Sequence, residues 1–348
     1  MTMRSKPLFF NFTYEELLAF MDQWGEPDYR TVQIWENTYS NLFETPESFS
    51  NIPKSLRAKL TDQFSFSDLR PIDQIQSSDG QTIKTLFELP DGKRIETVLM
   101  NYRKRHTLCI SSQAGCAMNC SFCATGQMGF SRNLSAGEIV EQVIYFARYL
   151  HQHGDSVTNI VFMGMGEPFH NYDAVMQAIQ ILNHAKGFRL GARRFTISTV
   201  GLIPGIERFT QENSQINLAV SLHAATNELR STMMPVNKKY PIEDLIEACR
   251  KYFETTKRRV TFEWALIQGV NDTVEEAQKL ADLLKGITCH VNVIPLNPTQ
   301  GFDGQKSDKK RVLDFKKTLE NNGVPCTVRM RRGIDIQAGC GQLASKNS

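Results

Sequence analysis

The most informative segment of the sequence is residues 107–134, which read TLCISSQAGCAMNCSFCATGQMGFSRNL. Its first five residues are mostly apolar or β-branched and predict a short β-strand. Three cysteines then follow with the spacing C-x3-C-x2-C, at Cys116, Cys120 and Cys123. Three thiolates on one loop can bind three irons of a [4Fe–4S] cluster, which leaves the fourth iron free for another ligand.

Two other interpretations of this cysteine cluster stay open at this point. A structural zinc ion would need four ligands, and Cys109 or His106 could supply the fourth. The thiols could also be buried and inert. Four of the eight cysteines fall within fifteen residues, whereas secreted disulfide-rich proteins are small and space their cysteines more evenly. The clustering therefore predicts a metal or redox site in a reducing compartment, and hence a cytoplasmic protein.

From about residue 105 onward, predicted strands alternate with predicted helices. The strands are 107–111, 159–163, 194–199, 217–222, 259–267 and 290–295, and the helices include 136–151, 172–185, 242–254, 274–284 and 309–321. Alternation with a spacing of about 30–50 residues indicates parallel strands joined by right-handed crossovers. Six such units fit an incomplete (β/α)6 barrel better than the eight units of a complete one. The predicted fold class is therefore α/β.

The first 95 residues predict a separate small domain. Thr13 and Glu16 fit a capping box ahead of a first helix, and residues 28–39 and 53–64 fit two more helices. The strand-like runs 82–89 and 95–101 flank a Pro-Asp-Gly turn, which is typical of a β-hairpin. We therefore predict a helical domain with a connecting hairpin over residues 1–95, the barrel over 102–335 and a C-terminal segment over 336–348.

The composition is that of an ordinary globular chain, with 348 residues, 41% hydrophobic and 22% charged. No run of about 18 apolar residues predicts a membrane span, and the first twelve residues do not fit a secretory signal. The net charge of +3 does not by itself imply a nucleic-acid partner. Basic residues nevertheless form four short groups, at 103–105, 193–194, 257–259 and 329 with 331–332. One such group is typical of a solvated surface, but four together favour a phosphate-facing surface.

Polar or glycine-rich residues follow each of the six predicted barrel strands. In chain order they are the cysteine loop, the sequence GMGEP at 164–168, Ser198, Ser221 with His223, the sequence QGVND at 268–272, and Asn297. Active sites of such barrels lie at the carboxyl ends of the strands, so this pattern predicts one shared site. The glycines of GMGEP let a ligand approach the backbone closely.

These segments resemble the RlmN and Cfr family of radical S-adenosylmethionine (SAM) methyltransferases, which act on adenosine in RNA. The resemblance rests on residues 107–134, on GMGEP and on GIDIQAGCGQL at 333–343. It extends nearly end to end and includes GEP at 25–27. It implies a radical SAM barrel whose [4Fe–4S] cluster is held by Cys116, Cys120 and Cys123, with SAM on the fourth iron.

The resemblance also implies roles for other residues. Cys340 matches a cysteine that a first SAM methylates, Cys109 matches one that resolves the protein–RNA adduct through a transient Cys109–Cys340 disulfide, and Glu96 matches the proposed base. The positions that match SAM contacts are Gly166, Glu167, Ser198, Ser221, His223 and Asn297. Cys249, Cys289 and Cys326 match no motif and are predicted to be core thiols.

The implied activity is methylation at C2 of adenosine 2503 in 23S rRNA and of adenosine 37 in tRNAs, with two SAM per turnover. The implied partners are these RNAs and a reducing protein such as flavodoxin or ferredoxin, with no membrane and a monomeric enzyme. One rival is Cfr-type methylation at C8, although residues 262–266 and 291–298 look more like RlmN. Another rival is a non-catalytic RNA-binding protein that uses zinc for structure.

Overall fold

The structure is a computed structural model that describes residues 6–329 and 332–344. Its N-terminal part begins with three α-helices: α1 (Tyr14–Gln23), α2 (Tyr29–Tyr39) and α3 (Lys54–Gln63). The predicted capping box at α1 is present, since the backbone N–H of Glu16 donates to the Thr13 hydroxyl and that of Thr13 donates to the Glu16 carboxylate. The three helices predicted for this part of the chain are confirmed.

Three antiparallel strands follow the helices: β1 (Arg70–Gln76), β2 (Thr82–Glu88) and β3 (Arg94–Tyr102). The predicted hairpin is β2 with β3 and is confirmed. Strand β1 was not predicted from the sequence. Strand β3 crosses residue 95, where we place a domain boundary, and pairs with the first barrel strand. The hairpin therefore continues the sheet of the barrel.

The described residues of the barrel region form nine more strands. They are β4 (Arg105–Cys109), β5 (Gln113–Gly115), β6 (Phe130–Asn133), β7 (Asn159–Phe162), β8 (Phe195–Thr199), β9 (Asn217–Ser221), β10 (Val260–Leu266), β11 (Cys289–Pro295) and β12 (Cys326–Val328). Strands β4 and β7 to β12 are parallel and lie in chain order. The six predicted barrel strands are confirmed, and the short β12 extends the parallel part to seven strands. Strands β5 and β6 form a separate hairpin beside the cysteine loop.

Within residues 102–329 and 332–344, eight α-helices connect or flank these strands. They are α4 (Ala124–Gln127), α5 (Ala136–Gln152), α6 (Tyr172–Asn183), α7 (Ile203–Glu212), α8 (Asn227–Met233), α9 (Ile242–Thr256), α10 (Val274–Leu283) and α11 (Lys309–Asn321). Helices α5, α6, α9, α10 and α11 match predicted helices, whereas α4, α7 and α8 were not predicted. The apolar faces of these helices and of the parallel strands form one large core. Among the described residues, none of the helices is both long and apolar enough to cross a membrane.

Candidate active site

A cavity of about 870 Å³ lies at the carboxyl ends of the parallel strands. Nine of the twelve site residues predicted from the sequence line it: Cys120, Cys123, Gly166, Glu167, Ser198, Ser221, His223, Asn297 and Cys340. They come from loops that are up to about 220 residues apart in sequence. The strand topology brings them together, because parallel strands present all their carboxyl ends at one edge. We call this space the central cavity.

The cysteine loop connects β5 to α4 and covers one side of the central cavity. Cys116 and Cys120 are buried and Cys123 is half-buried. Burial raises the pKa of Cys116 to about 12 and that of Cys120 well above its usual value. Gly126 lies against this loop, where an added Cβ would come 2.9 Å from the backbone nitrogen of Cys120. The loop therefore holds three thiols close together beside an open cavity.

The donor set of this loop fits a [4Fe–4S] cluster, since all three groups are cysteine thiols. Each thiolate of such a cluster binds its own iron. Among residues 6–329 and 332–344, no three side chains of His, Cys, Asp or Glu converge on one point where a single metal ion could sit. A cluster with three separate attachment points does not need such convergence.

The GMGEP loop after β7 is held tightly against strand β5, which precedes the cysteine loop. Gly166 has a φ of +104°, and an added Cβ would lie 2.6 Å from the Gln113 side chain. The Glu167 backbone N–H donates to the Gln113 side chain (2.8 Å), and the Glu167 carboxylate accepts from the N–H groups of Val200 (2.8 Å) and Phe169 (3.0 Å). Burial raises the pKa of Glu167 to about 7. This glutamate therefore ties the loop after β7 to the loop after β8.

His223 presents a neutral imidazole to the central cavity. Its Nδ1 accepts a hydrogen bond from the backbone N–H of Ala265 (2.8 Å), which leaves the proton on Nε2. Burial lowers the pKa of His223 to about 3, so the ring stays uncharged at physiological pH. The residue has a φ of +61°, and Asn271 donates to its carbonyl oxygen (2.8 Å). His223 is thus fixed in one tautomer by backbone contacts.

Arg230 on α8 supports the site and was missed by the sequence reasoning. Its guanidinium is fully buried and donates to the carbonyl oxygens of Leu222 (3.1 Å), Val200 (2.6 Å) and Ser221 (3.2 Å). It also donates to the side chain of Asn237 (3.0 Å). One side chain thereby joins the loops after β8 and β9. No local sequence pattern marks such a residue, because its partners are backbone groups far away in the chain.

The C-terminal segment carries Cys340 to the rim of the central cavity. Cys340 is exposed, and its carbonyl oxygen accepts from the Asn297 side chain (3.1 Å). The next residues are anchored to α4, where the Ala124 N–H donates to the Gly341 oxygen (2.7 Å) and the Thr125 hydroxyl donates to the Leu343 oxygen (2.6 Å). The helix that follows the cysteine loop therefore also holds the segment with the predicted methyl carrier.

Cys109 and Cys340 line a second, smaller cavity of about 610 Å³ next to the central one. Cys109 is buried at the end of β4, and burial raises the pKa of its thiol to about 12. Arg329 lines both cavities, and its charge opposes that rise in the pKa. Its Nη1 lies 3.6 Å from the carboxylate of Glu263. Arg329 was seen in the sequence only as one of several basic residues.

Glu96 lies in a different cavity, of about 810 Å³, which it shares with Gln342 and Ala344. Its side chain is buried, forms an ion pair with Lys84 (3.0 Å) and accepts from the backbone N–H of Ala344 (2.8 Å). It does not line the central cavity. The three remaining cysteines, Cys249, Cys289 and Cys326, are buried in the hydrophobic core, as predicted.

Profiles of known protein families match two parts of this chain. The profile of the radical SAM superfamily matches residues 110–284, which contain the cysteine loop and most of the barrel. The fold and the site define a member of that superfamily, whose chemistry uses a [4Fe–4S] cluster and SAM. The profile of the ribosomal RNA large subunit methyltransferase N-terminal domain matches residues 9–65.

Full-length relatives identify the family. A probable dual-specificity RNA methyltransferase RlmN of Chloroflexus aurantiacus is 48% identical to this chain, and the aligned region covers 97% of this chain and 93% of the relative. The dual-specificity RNA methyltransferase RlmN 1 of Myxococcus xanthus is 47% identical, and the aligned region covers 96% of this chain and 93% of the relative. The crystal structure of a radical SAM methyltransferase from Sphaerobacter thermophilus matches with a TM-score of 0.95 and 48% identity, over 98% and 100% of the two chains. This chain belongs to the RlmN family and is a radical SAM RNA methyltransferase.

Proposed function

We propose that this enzyme methylates C2 of adenosine in two RNAs, at adenosine 2503 of 23S rRNA and at adenosine 37 of tRNAs. The observation that carries the proposal is that Cys109 and Cys340 line one cavity, directly beside the central cavity. A methyltransferase that only transfers the methyl of SAM to its substrate needs no such pair of thiols. Relatives with nearly half of their residues identical are named dual-specificity RNA methyltransferases, which supports the two substrates.

The chemistry of adenine explains why a protein thiol is needed. C2 is an electron-poor carbon and does not attack the methyl group of SAM. When bound, the cluster and SAM supply the one-electron chemistry that activates a methyl group. Cys116, Cys120 and Cys123 would hold the cluster. The residues that would surround SAM are Gly166, Glu167, Ser198, Ser221, His223 and Asn297.

Cys340 is proposed as the methyl carrier. Its sulfur takes a methyl group from one SAM, so an S–C bond forms as the sulfonium bond breaks and the thiol loses its proton. Arg329 lines the same cavity as Cys340, and the negative charge of a Cys340 thiolate raises the pKa of its guanidinium. Exposure at the cavity rim gives the methylated sulfur access to an RNA base.

Cys109 is proposed as the resolving thiol. After the methyl carbon has bonded to adenine, the Cys109 sulfur attacks the Cys340 sulfur. Cys109 loses its thiol proton and an S–S bond forms. The bond between the Cys340 sulfur and the transferred carbon breaks, its electron pair stays with that carbon, and the carbon takes up a proton to become the methyl group of the released base. A cellular thiol reductant then restores both cysteines. The buried position of Cys109 on a strand and the anchored position of Cys340 keep the two sulfurs beside one cavity.

Glu96 is proposed as the base that removes the proton from C2 of the adduct. Its carboxylate accepts a hydrogen bond from Ala344 and is paired with Lys84. Residues 342–344 therefore have to shift before an adenine ring can approach this carboxylate. The variant Glu96→Gln keeps the hydrogen-bonding shape but removes the base, so we expect it to retain SAM cleavage and to lose methyl transfer to RNA.

The identity of the modified base tests this proposal. We would incubate the reconstituted enzyme with SAM, a reductant and unmodified transcripts of tRNA and of a 23S rRNA fragment, and analyse digested nucleosides by mass spectrometry. The proposal predicts 2-methyladenosine from both RNAs. 8-Methyladenosine as the sole product would show a Cfr-type enzyme. A protein without iron and sulfide that does not cleave SAM would instead support the zinc-stabilised RNA-binding protein.

A further inference from the structure

A large opening lies at the amino ends of the parallel strands, on the side of the barrel away from the cysteine loop. Its volume of about 2040 Å³, which includes space open to solvent, is more than twice that of the central cavity. Residues at or near the starts of four strands line it, namely Arg105 (β4), Asn159 (β7), Asn217 (β9) and Thr261 (β10). We call it the basic mouth because of the charges described next.

Besides Arg329, five cationic side chains line the basic mouth: Arg105, Arg193, Lys257, Arg258 and Arg259. They belong to three of the four basic groups seen in the sequence. Each of these groups precedes or begins a parallel strand, so the topology gathers them at one edge. In the fourth group, Arg329 also lines the mouth, Arg332 pairs with Asp79 (4.0 Å), and Arg331 lies outside the described residues.

The charges of these five side chains are not neutralised by acidic residues. Within residues 6–329 and 332–344, none of the five forms an ion pair with a carboxylate, whereas cations on outer helices, such as Lys279 and Lys285, do. Glu263 is the one acidic residue in the described lining of the mouth, and it faces Arg329. The mouth therefore concentrates positive charge, which attracts a polyanion.

Neutral partners hold two of the guanidinium groups side by side. The side-chain oxygen of Gln215 accepts from both Arg193 (3.1 Å) and Arg258 (2.9 Å), and Asn217 accepts from Arg258 (2.7 Å). The two positive charges that share this amide oxygen repel each other, and an anion bound between or above them would offset that repulsion. A phosphate group matches this arrangement, because guanidinium groups bind phosphate oxygens through paired hydrogen bonds.

The basic mouth adjoins the two cavities that contain the cysteines. Met163 and Arg329 line all three spaces, and Met100, Tyr102 and Val161 line both the mouth and the cavity of Cys109 and Cys340. A nucleotide that enters at the amino ends of the strands would therefore reach Cys340 past the side chains of Met163 and Arg329.

We propose that RNA docks at the basic mouth and that the target adenosine enters the barrel through it, opposite the edge where the cluster and SAM would bind. Phosphates that flank the target would rest on the five cations, while the unstacked base passes inward beside Arg329. This inference rests on the proposed methylation of RNA and adds the face and the direction from which the RNA approaches.

Binding measurements with matched variants test the docking site. The mouth variant carries Arg193→Gln, Lys257→Gln and Arg259→Gln. Its control carries Lys309→Gln, Lys310→Gln and Lys317→Gln on α11, which are exposed and give the same change in net charge. With a tRNA transcript, we expect the mouth variant to bind about 10–100-fold more weakly than wild type, with a log–log salt slope reduced by about 2. The control should bind within about twofold of wild type.

Equal binding and equal salt slopes for the two variants would overturn the proposal, provided that iron content and thermal unfolding match those of wild type. Wild-type enzyme that binds no RNA would instead count against the proposed function itself. Should the mouth variant not fold, a photocrosslinking residue at Lys257 gives a second test. We expect crosslinks from Lys257 to nucleotides that flank the target adenosine, and none from the same residue at Gln300 beside Glu96. The reverse pattern would show that RNA approaches from the carboxyl edge.

Discussion

The two ends of the parallel strands differ in whether their ionisable side chains are buried or exposed. At the carboxyl ends, Glu167 and His223 are buried, each is held by backbone N–H groups, and burial shifts both pKa values toward the neutral form. At the amino ends, Arg105, Lys257 and Arg259 are exposed, and no described carboxylate pairs with them. The ionisable groups at the carboxyl ends are therefore buried and shifted toward their neutral forms, whereas the cations at the amino ends are charged and exposed to water.

This difference separates two tasks within one barrel. Reactions of thiols and radicals need fixed groups in a space that excludes water, where electrostatic interactions are strong. Binding of a large polyanion needs exposed charges that attract it from a distance, and salt screens such charges. We therefore expect changes at the carboxyl end to alter chemistry and changes at the amino end to alter RNA affinity and its dependence on salt.

The largest expected effect follows from Cys340→Ala. Without this sulfur the proposed methyl carrier is gone, so transfer of labelled methyl from SAM to RNA should fall by at least about 1,000-fold. RNA affinity should stay within about twofold of wild type, because the docking cations are unchanged. Scintillation counting and filter binding measure the two quantities.

Cys326→Ala is the matched control for this change, since it removes a core thiol on β12. It should keep methyl transfer within a few-fold of wild type. Substantial methyl transfer to RNA by Cys340→Ala would break the assignment of the chemistry to the carboxyl end.

A smaller effect is expected from Arg230→Met. The substitution leaves the carbonyl groups of Val200, Ser221 and Leu222 without their buried donor, which should lower the free energy of unfolding by about 3 kcal/mol. SAM affinity should fall as the loops after β8 and β9 loosen, whereas RNA affinity should change little. Chemical denaturation and equilibrium binding of SAM and RNA provide the readouts.

Arg208→Met serves as the control for Arg230→Met. Arg208 is exposed and pairs with Asp173 at the surface, so its loss should cost less than about 0.5 kcal/mol. If Arg230→Met weakened RNA binding as strongly as SAM binding, the two ends of the barrel would not be independent.

The smallest expected effect lies outside both ends. Glu141 on α5 accepts hydrogen bonds from Ser67 and Asp68, and burial raises its pKa to about 7. A carboxyl whose folded pKa is raised contributes stability at low pH and loses it as pH rises through 7. Between pH 6 and pH 8 we expect wild type to lose about 1 kcal/mol of stability that Glu141→Gln does not lose.

Urea denaturation at a series of pH values measures this difference, with the exposed Glu207→Gln as control. If the free energy of unfolding depended on pH in the same way in wild type and in Glu141→Gln, the titration of Glu141 would not be its cause. Because Glu141 lines neither the central cavity, nor the cavity of Cys109 and Cys340, nor the basic mouth, methyl transfer by the variant should match that of wild type at a temperature where both are folded.

The sequence predicted the barrel because its strands are apolar runs at regular spacing, each followed by polar or glycine residues. It did not predict β1, whose residues 70–76 are largely polar and at least partly exposed along an edge strand. The three residues of β12 are too few to show any periodicity. Local patterns therefore found the buried strands, whereas pairing with neighbours determined the others.

The site was predictable where its residues stand in motifs. The cysteine spacing and GMGEP marked one cavity, but Gln113 and Arg230 were missed because they act on distant backbone groups. The basic groups were visible in the sequence, but their meeting at one mouth depends on the parallel arrangement of strands. Glu96 was chosen by family resemblance alone, and the structure places it in a cavity beside the C-terminal segment.

In the proposed mechanism, Cys340 carries the methyl carbon to RNA and Cys109 releases the product. Cys109→Ala tests this mechanism directly, because an adduct that cannot be resolved should accumulate. We would incubate this variant with SAM, reductant and tRNA transcript, and analyse it by denaturing electrophoresis and mass spectrometry of the digested complex. We expect a covalent protein–RNA species linked from the Cys340 sulfur to an adenosine, absent in Cys109→Ala/Cys340→Ala. No adduct, or an adduct on another residue, would contradict it.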